Sequence, residues 1–386
     1  MSGKIPYGRQ SIGPDEQSIV QQVLSSNWLT QGPQIDAFEQ ALAELCGAAH
    51  AVAVANGTMA LYLAMRALGL GPGDKFLTTP ITFAATANAG LLCGAAPVFA
   101  DIHPDTLNID PARVGEALAQ HPEIKVVLPV HLGGLICDMD TLADLAEQHG
   151  VAIIEDACHA IGGQWRDRDG GWHAAGGCHR SALTTFSFHP VKSMTTGEGG
   201  AITTQDPELA EKMRLLRSHG ITRDRSRMSR DEGGWFYEMQ ELGINARLTD
   251  LQAALGIHQL RLLPGWQERR QELVARYGRK LADVDGVRLM TRTDDADRSC
   301  YHLMIIRARR RRELYDHLHA LGIMVQVHYI PVHLQPYYQR EHGFAAGDFP
   351  RAEEYYAEAL SLPLFPTLTD QEQDRVIGAI RDFYRA

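Results

Sequence analysis

The chain has 386 residues, 45% of them hydrophobic, and carries 37 Lys plus Arg against 47 Asp plus Glu for a net charge of −10. That length supports a sizeable core in two globular parts, and the acid excess excludes a general polyanion or nucleic-acid binder. No run of ~18 apolar residues is present, which excludes a membrane-spanning helix, and there is no repeat or low-complexity tract.

Between residues 51 and 204 short apolar strands alternate with helical patterns, the signature of an α/β fold with a mostly parallel sheet covered on both faces. Helices are predicted over 35–46, 141–149 and 207–216. Residues 51–55 read as a buried strand and 59–68 as an apolar helix, with Asn56-Gly57-Thr58 as the turn between them. Residues 151–156 form a second buried strand ending in Glu155 and Asp156, and two β-branched runs, 183–186 and 201–204, flank a glycine-rich loop. Residues 222–235 are rich in Arg, Asp, Ser and Gly without periodicity and are expected to form a mobile surface loop. An amphipathic stretch over 255–280 then leads into a smaller α/β part, in which the basic run Arg307, Arg309, Arg310, Arg311 and Arg312 reads as a solvated helix start.

Three features point to chemistry. Lys192 lies in the loop between the two β-branched runs, and an ammonium among apolar and small residues loses protons more readily, which makes a free amine nucleophilic toward a carbonyl. An ordinary surface lysine beside a hairpin is the plain alternative. Strand alternation sends Glu155 and Asp156 to opposite faces, so one of them faces the ligand crevice at the carboxyl ends of the strands. A buried carboxylate there suits a pyridinium nitrogen, although an Asp after a strand also serves as a helix cap. The turn Asn56-Gly57-Thr58 before a helix offers backbone N–H groups to a phosphate, with Ser187 in reach of the same anion, whereas Thr58 also fits a simple N-cap.

Cys46, Cys93, Cys137, Cys158, Cys178 and Cys300 show no Cys-x-x-Cys pairing, and no apolar signal segment opens the sequence. Reduced thiols in a bacterial cytoplasm are expected. His328 and His333 have a spacing that suits neither helical nor strand ligands, and no metal site is expected.

In this order, the pieces resemble the fold-type I pyridoxal phosphate (PLP) aminotransferases that aminate keto sugars carried on nucleotides. The similarity runs from Leu29 to Leu364 and is carried by residues 78–88, by Ser187 to Gly200 with its His189-Pro190-Val191-Lys192 and Thr196-Gly197-Glu198-Gly199-Gly200, by 243–256, and by 327–338. Residues 78–88 and 326–338 favour the branch that works at C4 in pseudaminic acid biosynthesis. The resemblance implies a seven-stranded large domain over 15–255 and a small domain over 256–386, with residues 1–14 packing nearby. It makes Lys192 the Schiff-base lysine, Asp156 the partner of the ring nitrogen, and Phe83 the aromatic stacked on the cofactor. It assigns the phosphate to Gly57, Thr58 and Ser187, and puts His159 near the phenolic oxygen. Asn245 reaches the phosphate from the other subunit, so a homodimer with shared sites is implied, with glutamate as amino donor and a UDP-linked 4-keto sugar as acceptor. Taken without the resemblance, Phe83 reads as core and Asn245 as a turn residue.

Some relatives have Ser-Ala-Thr where this chain has Asn56-Gly57-Thr58-Met59, a change that spares the backbone donors. Cys300-Tyr301-His302 stands where an aromatic Trp often precedes the His, and Met324 replaces a frequent glycine. Rival readings are an aminotransferase making perosamine or another 3- or 4-amino sugar, and a non-catalytic binding or regulatory module. The related C3 dehydratases carry His at the Lys192 position.

Overall fold

The computed structural model describes residues 3–289 and 297–385; the parts of the expected domains at 1–2, 290–296 and 386 lie outside the described residues. Seven strands form the central sheet: β1 (His50–Val54), β2 (Lys75–Thr78), β3 (Ala96–Phe99), β4 (Ile124–Leu128), β5 (Ala152–Asp156), β6 (Leu183–Ser187) and β7 (Gly200–Thr204). Their order is β1-β7-β6-β5-β4-β2-β3. β7 is antiparallel to both β1 and β6, and the remaining pairs are parallel. Six strands therefore point one way, and their carboxyl ends share one edge.

Alternation along the strands explains the two-sided burial. Ala51, Ala53, Val127 and Ile153 enter one apolar core, while Val52, Val54, Val126 and Ile154 enter another on the opposite face. By the same alternation Glu155 and Asp156 part company. Buried Glu155 accepts from Thr184 Oγ1 at 3.0 Å and faces His131 Nε2 at 2.8 Å. His131 Nδ1 accepts the Cys137 N–H, so Nε2 carries the hydrogen and donates to Glu155. Glu155 is a structural clamp, and Asp156 is left to the strand-end crevice.

A helix over Asp250–Leu281 starts from a capping box in which Thr249 and Gln252 satisfy each other's backbone N–H groups. Its first half, with Ala253, Leu260 and Leu263, enters the first core against the helix Pro33–Cys46; beyond Pro264, Leu273, Val274, Tyr277 and Leu281 enter a third core. That core covers an antiparallel sheet of Val287–Leu289, Met304–Ala308 and Ala359–Leu362. Ile5 is buried in it, and its backbone bridges to Ile323. Among the described residues no helix is long and apolar enough to cross a membrane.

One expectation needs correction. Arg307 is not solvated: it is buried and pairs with Glu354 and Glu358 at 2.7 and 2.8 Å, because it lies inside the strand Met304–Ala308 rather than at the helix start. The stretch 222–235 runs as an exposed surface loop apart from Thr222, with Ile221–Thr222 paired to Glu238–Met239 at its base.

Candidate active site

A cavity of about 730 Å³ opens at the carboxyl edge of the sheet and is lined by Gly57, Thr58, Phe83, Asp156, His159, Ser187 and Lys192, together with Tyr7, Thr86, His302, His328 and Tyr329. Residues far apart in sequence converge because each follows the end of a strand: Gly57 and Thr58 follow β1, Phe83 follows β2, Asp156 ends β5, and Ser187 ends β6. Asn245 is not among the lining residues; it is exposed, and its Oδ1 accepts the N–H of its own Arg247 at 3.4 Å.

Lys192 owes its position to a tight turn. Its N–H donates to His189 O at 2.9 Å, with Pro190 at the second turn position, where a fixed φ is favourable. The rest of the loop is pinned from within: the Phe188 N–H donates to Gly199 O, the Thr195 hydroxyl to Phe188 O, and the Thr196 hydroxyl to Glu198 O. A side chain at Gly199 would meet Thr196 Oγ1 at 2.1 Å, so the turn admits only glycine there. Burial lowers the pKa of the Lys192 amine, while Cys158 and the Asp156 carboxylate nearby pull it the other way. The amine is thus easier to deprotonate yet remains in electrostatic reach of a carboxylate.

Asp156 caps no helix, because residues 158–162 form turns. Its Oδ1 accepts the Cys158 N–H at 3.1 Å and its Oδ2 accepts the Thr86 hydroxyl at 2.7 Å. Since Thr86 donates to Asp156, the 2.7 Å contact between Thr82 and Thr86 makes Thr82 the donor to Thr86. A hydroxyl chain from the helix Ala84–Leu92 therefore holds the carboxylate in place.

His159 Nδ1 accepts the Gly133 N–H at 3.3 Å, which puts the ring hydrogen on Nε2, 2.9 Å from Tyr329 Oη. Burial and the facing Lys192 ammonium hold His159 neutral, well below the ordinary histidine pKa. Burial also pushes His328 down to about 3.

The cavity suits a phosphorylated pyridine. The cap of the helix Gly57–Ala67 is Asn56, not Thr58: Asn56 Oδ1 accepts the Met59 N–H at 2.9 Å, leaving the Gly57 and Thr58 N–H groups at the positive end of the helix for an anion. A Cβ at Gly57 would lie 2.8 Å from Ser187 Cβ, and one at Gly200 would lie 2.5 Å from Asn56 O. Both glycines are what lets the turn approach Ser187. Phe83 is 62% exposed at the cavity wall, with Tyr329 tilted beside it at 6.1 Å, and presents an open aromatic face rather than a core residue.

The match to known proteins spans the chain. The model of the DegT/DnrJ/EryC1/StrS aminotransferase family matches residues 10–381. The chain belongs to this family. It is 41% identical to the spore coat polysaccharide biosynthesis protein SpsC of Bacillus subtilis (strain 168), over 99% of this chain and 97% of that one. Helicobacter pylori PseC, an aminotransferase involved in the biosynthesis of pseudoaminic acid, superposes with a TM-score of 0.90 at 30% identity, covering 99% of this chain and all (100%) of that one. A sugar aminotransferase from Streptococcus pneumoniae, solved in forms with pyridoxal and with pyridoxamine phosphate, superposes at 0.91 and 28% identity over 99% and 98% of the two chains in its pyridoxamine form. The fold is that of the fold-type I enzymes, and the family member is a sugar aminotransferase that uses PLP.

Thr86, Tyr7 and Tyr329 carry no sequence signal of their own, although Thr86 lies within 78–88 and Tyr329 within 326–338; the sequence presents His328 only as a candidate metal ligand and His302 only as a departure from relatives.

Proposed function

We propose that this enzyme moves an amino group from glutamate to C4 of a UDP-linked 4-keto-6-deoxy-N-acetylhexosamine, in pseudaminic acid biosynthesis in the cytoplasm. One observation carries the aminotransfer chemistry: a desolvated Lys192 amine shares a cavity with the Asp156 carboxylate, the Gly57–Thr58 helix start and Ser187. Full-length similarity to PseC supports the substrate. The higher identity to a spore coat polysaccharide protein favours a second reading, in which the acceptor is another nucleotide-linked keto sugar.

Bound PLP supplies the electron sink that lets a proton leave the carbon bearing the amine. With the group bound, Lys192 Nζ would carry that proton, as general base and then as general acid. Asp156 holds a proton at the ring nitrogen by its charge, and Thr86 and the Cys158 N–H keep that carboxylate oriented. Gly57, Thr58 and Ser187 would bind the phosphate, the Phe83 face would carry the ring, and His159 would orient its phenolic oxygen. The domain division at 255/256 is part of this reading, with the helix Asp250–Leu281 running across it.

The substrate is tested by incubating the PLP enzyme with glutamate and a panel of nucleotide-linked 4-keto sugars and identifying products by NMR. Amination at C4 of the UDP-linked N-acetylhexosamine is expected with the highest kcat/KM. Preference for a different sugar or carrier selects the second reading.

The homodimer with shared sites has a separate test. Asn245→Asp sets a carboxylate against the phosphate, a like-charge clash. In a doubly tagged heterodimer of Lys192→Ala and Asn245→Asp subunits, one site carries both lesions and the other none, so activity well above either parent is expected. With the Asn245→Asp homodimer itself nearly inactive, parental activity in the purified heterodimer would mean that Asn245 serves its own chain; a fully active Asn245→Asp homodimer would mean that it serves no site.

A further inference from the structure

Ligand-type side chains also gather away from the cavity, on the hairpin of Gln164–Arg166 and Trp172–Ala174 and on the segment leading from it to β6. Asp167, His173 and His179 bring a carboxylate oxygen and two ring nitrogens within 4.8 Å of one another. Asp167 Oδ2 lies 2.7 Å from His173 Nε2 and 3.7 Å from His179 Nε2. The two imidazoles stack with centroids 3.5 Å apart and an interplanar angle of 12°.

The frame around them is rigid. The other oxygen of Asp167 accepts the N–H groups of Gly171 and Asp169 at 2.7 and 3.1 Å, so the turn itself aims Oδ2 at the rings. Asp140 sets the spacing between the two chain segments: Oδ2 accepts the Arg168 N–H at 2.6 Å and Oδ1 accepts from Arg180 Nε at 2.8 Å. Those residues adjoin Asp167 and His179. Trp165 walls the inner side, its ring 5.2 Å from His173 and 6.1 Å from His179.

We propose that Asp167, His173 and His179 form a site for one divalent cation of the zinc class, with solvent at the fourth position. Two imidazoles and a carboxylate are donors that zinc prefers, and bond lengths of ~2.0–2.1 Å at tetrahedral angles separate ligand atoms by ~3.3 Å. The observed oxygen–nitrogen distances of 2.7 and 3.7 Å straddle that value, and because the two rings stack in nearly parallel planes, the partly exposed His179 must turn about its side-chain bonds to bring its Nε2 lone pair onto the ion. An Asp–His hydrogen bond alone leaves the second ring unexplained. Face-to-face stacking is the arrangement aromatic rings avoid, yet His179 stacks on His173 and turns its Nε2 to the same oxygen. Calcium and magnesium are disfavoured, because they take oxygen donors. The neighbouring guanidinium groups are already paired, Arg168 with Asp144 and Arg180 with Asp140. Binding requires His173 in the tautomer with its hydrogen on Nδ1, since the ion replaces the hydrogen between Nε2 and Asp167. His179, with its side chain 40% exposed, gives the ion its entry from solvent. The spacing test applied to His328 and His333 misses this group, whose ligands stand six positions apart (173 − 167 and 179 − 173) across a hairpin and a loop.

The holoenzyme is stripped with a chelator, desalted and titrated with Co²⁺ and then Zn²⁺. One equivalent of Co²⁺ should bind with visible absorption of a tetrahedral ion, Zn²⁺ should displace it, and Zn²⁺ should raise the melting temperature. His179→Gln, at a partly exposed position, should weaken binding by ~100-fold or more and abolish the stabilisation, with turnover and cofactor spectrum unchanged. Absence of stoichiometric binding overturns the proposal. So does binding of the same strength in His179→Gln, which would put the ion elsewhere, as at Cys158 beside the cavity. Asp167→Asn is a supporting variant whose cofactor spectrum reports whether the turn survives.

Discussion

Lys192→Ala should lower kcat by on the order of 10⁴-fold or more while leaving a folded protein that still holds its cofactor. The loss is large because one amine performs two tasks, attachment of the cofactor and carriage of the proton, and general acid–base catalysis alone contributes ~10²- to 10⁴-fold. Folding is spared for a reason visible in the loop. Its hydrogen bonds run through the backbone and through Thr195 and Thr196, and the Lys192 backbone N–H that closes the His189 turn survives the truncation. Removing a desolvated ammonium also removes a burial cost. In the proposed site the Gly57–Thr58 cradle, Ser187 and the Phe83 face would still retain the cofactor. Two readouts separate this role from a structural one: small primary amines added to Lys192→Ala should restore part of the turnover, and borohydride reduction of the wild type should fix the cofactor to the peptide containing Lys192. Lys75, Lys125 and Lys280 are occupied in ion pairs with Glu123, Asp74 and Asp374, away from the cavity. Cofactor found on any other lysine would end the assignment.

What could be read from the sequence followed the range of the interactions involved. Local pattern was enough for the strand ending in Asp156, for the loop carrying Lys192 and for the turn at Gly57, because alternation and glycine placement are set by near neighbours. Alternation even separated Glu155 from Asp156, and the structure shows the reason, a buried His131–Thr184 clamp on one side and the cavity on the other. Contacts that complete the site span longer separations. Thr86 meets Asp156 across 70 positions and Tyr329 meets His159 across 170. Neither residue type is informative by itself, since a threonine in a helix and a tyrosine after a histidine are ordinary. Phe83 required the resemblance because a sequence does not tell an aromatic at a cavity wall from one in a core. Arg307 was misread for the converse reason: its neighbours at 309–312 are exposed or half-exposed, and the acidic partners that let it be buried come from Glu354 and Glu358, on another element.

Asp156→Asn should lower kcat by on the order of 10²- to 10³-fold with little change in melting temperature or in cofactor affinity, the scale expected when one preorganised electrostatic partner of the reacting system is lost. The substitution is nearly isosteric, so no cavity forms. The amide also fits the existing hydrogen bonds. Its carbonyl oxygen accepts the Cys158 N–H, and its NH₂ group meets Thr86, whose hydroxyl turns to accept it and to donate to Thr82 instead; either member of that threonine pair can be the donor. The polar network is thereby preserved with its direction reversed, and what disappears is the negative charge. Without that charge the ring nitrogen is no longer held protonated, and the electron sink weakens in both half-reactions. Nitrogen-15 NMR of labelled cofactor in the two proteins reads the protonation directly, and half-reaction kinetics with glutamate read its consequence. A variant that keeps near-normal kcat with a protonated ring nitrogen would show that another group supports it. Thr86→Val offers a check on the same chain: it leaves the charge but removes the hydroxyl that orients it, so its kcat should fall less than that of Asp156→Asn, with the ring nitrogen still protonated.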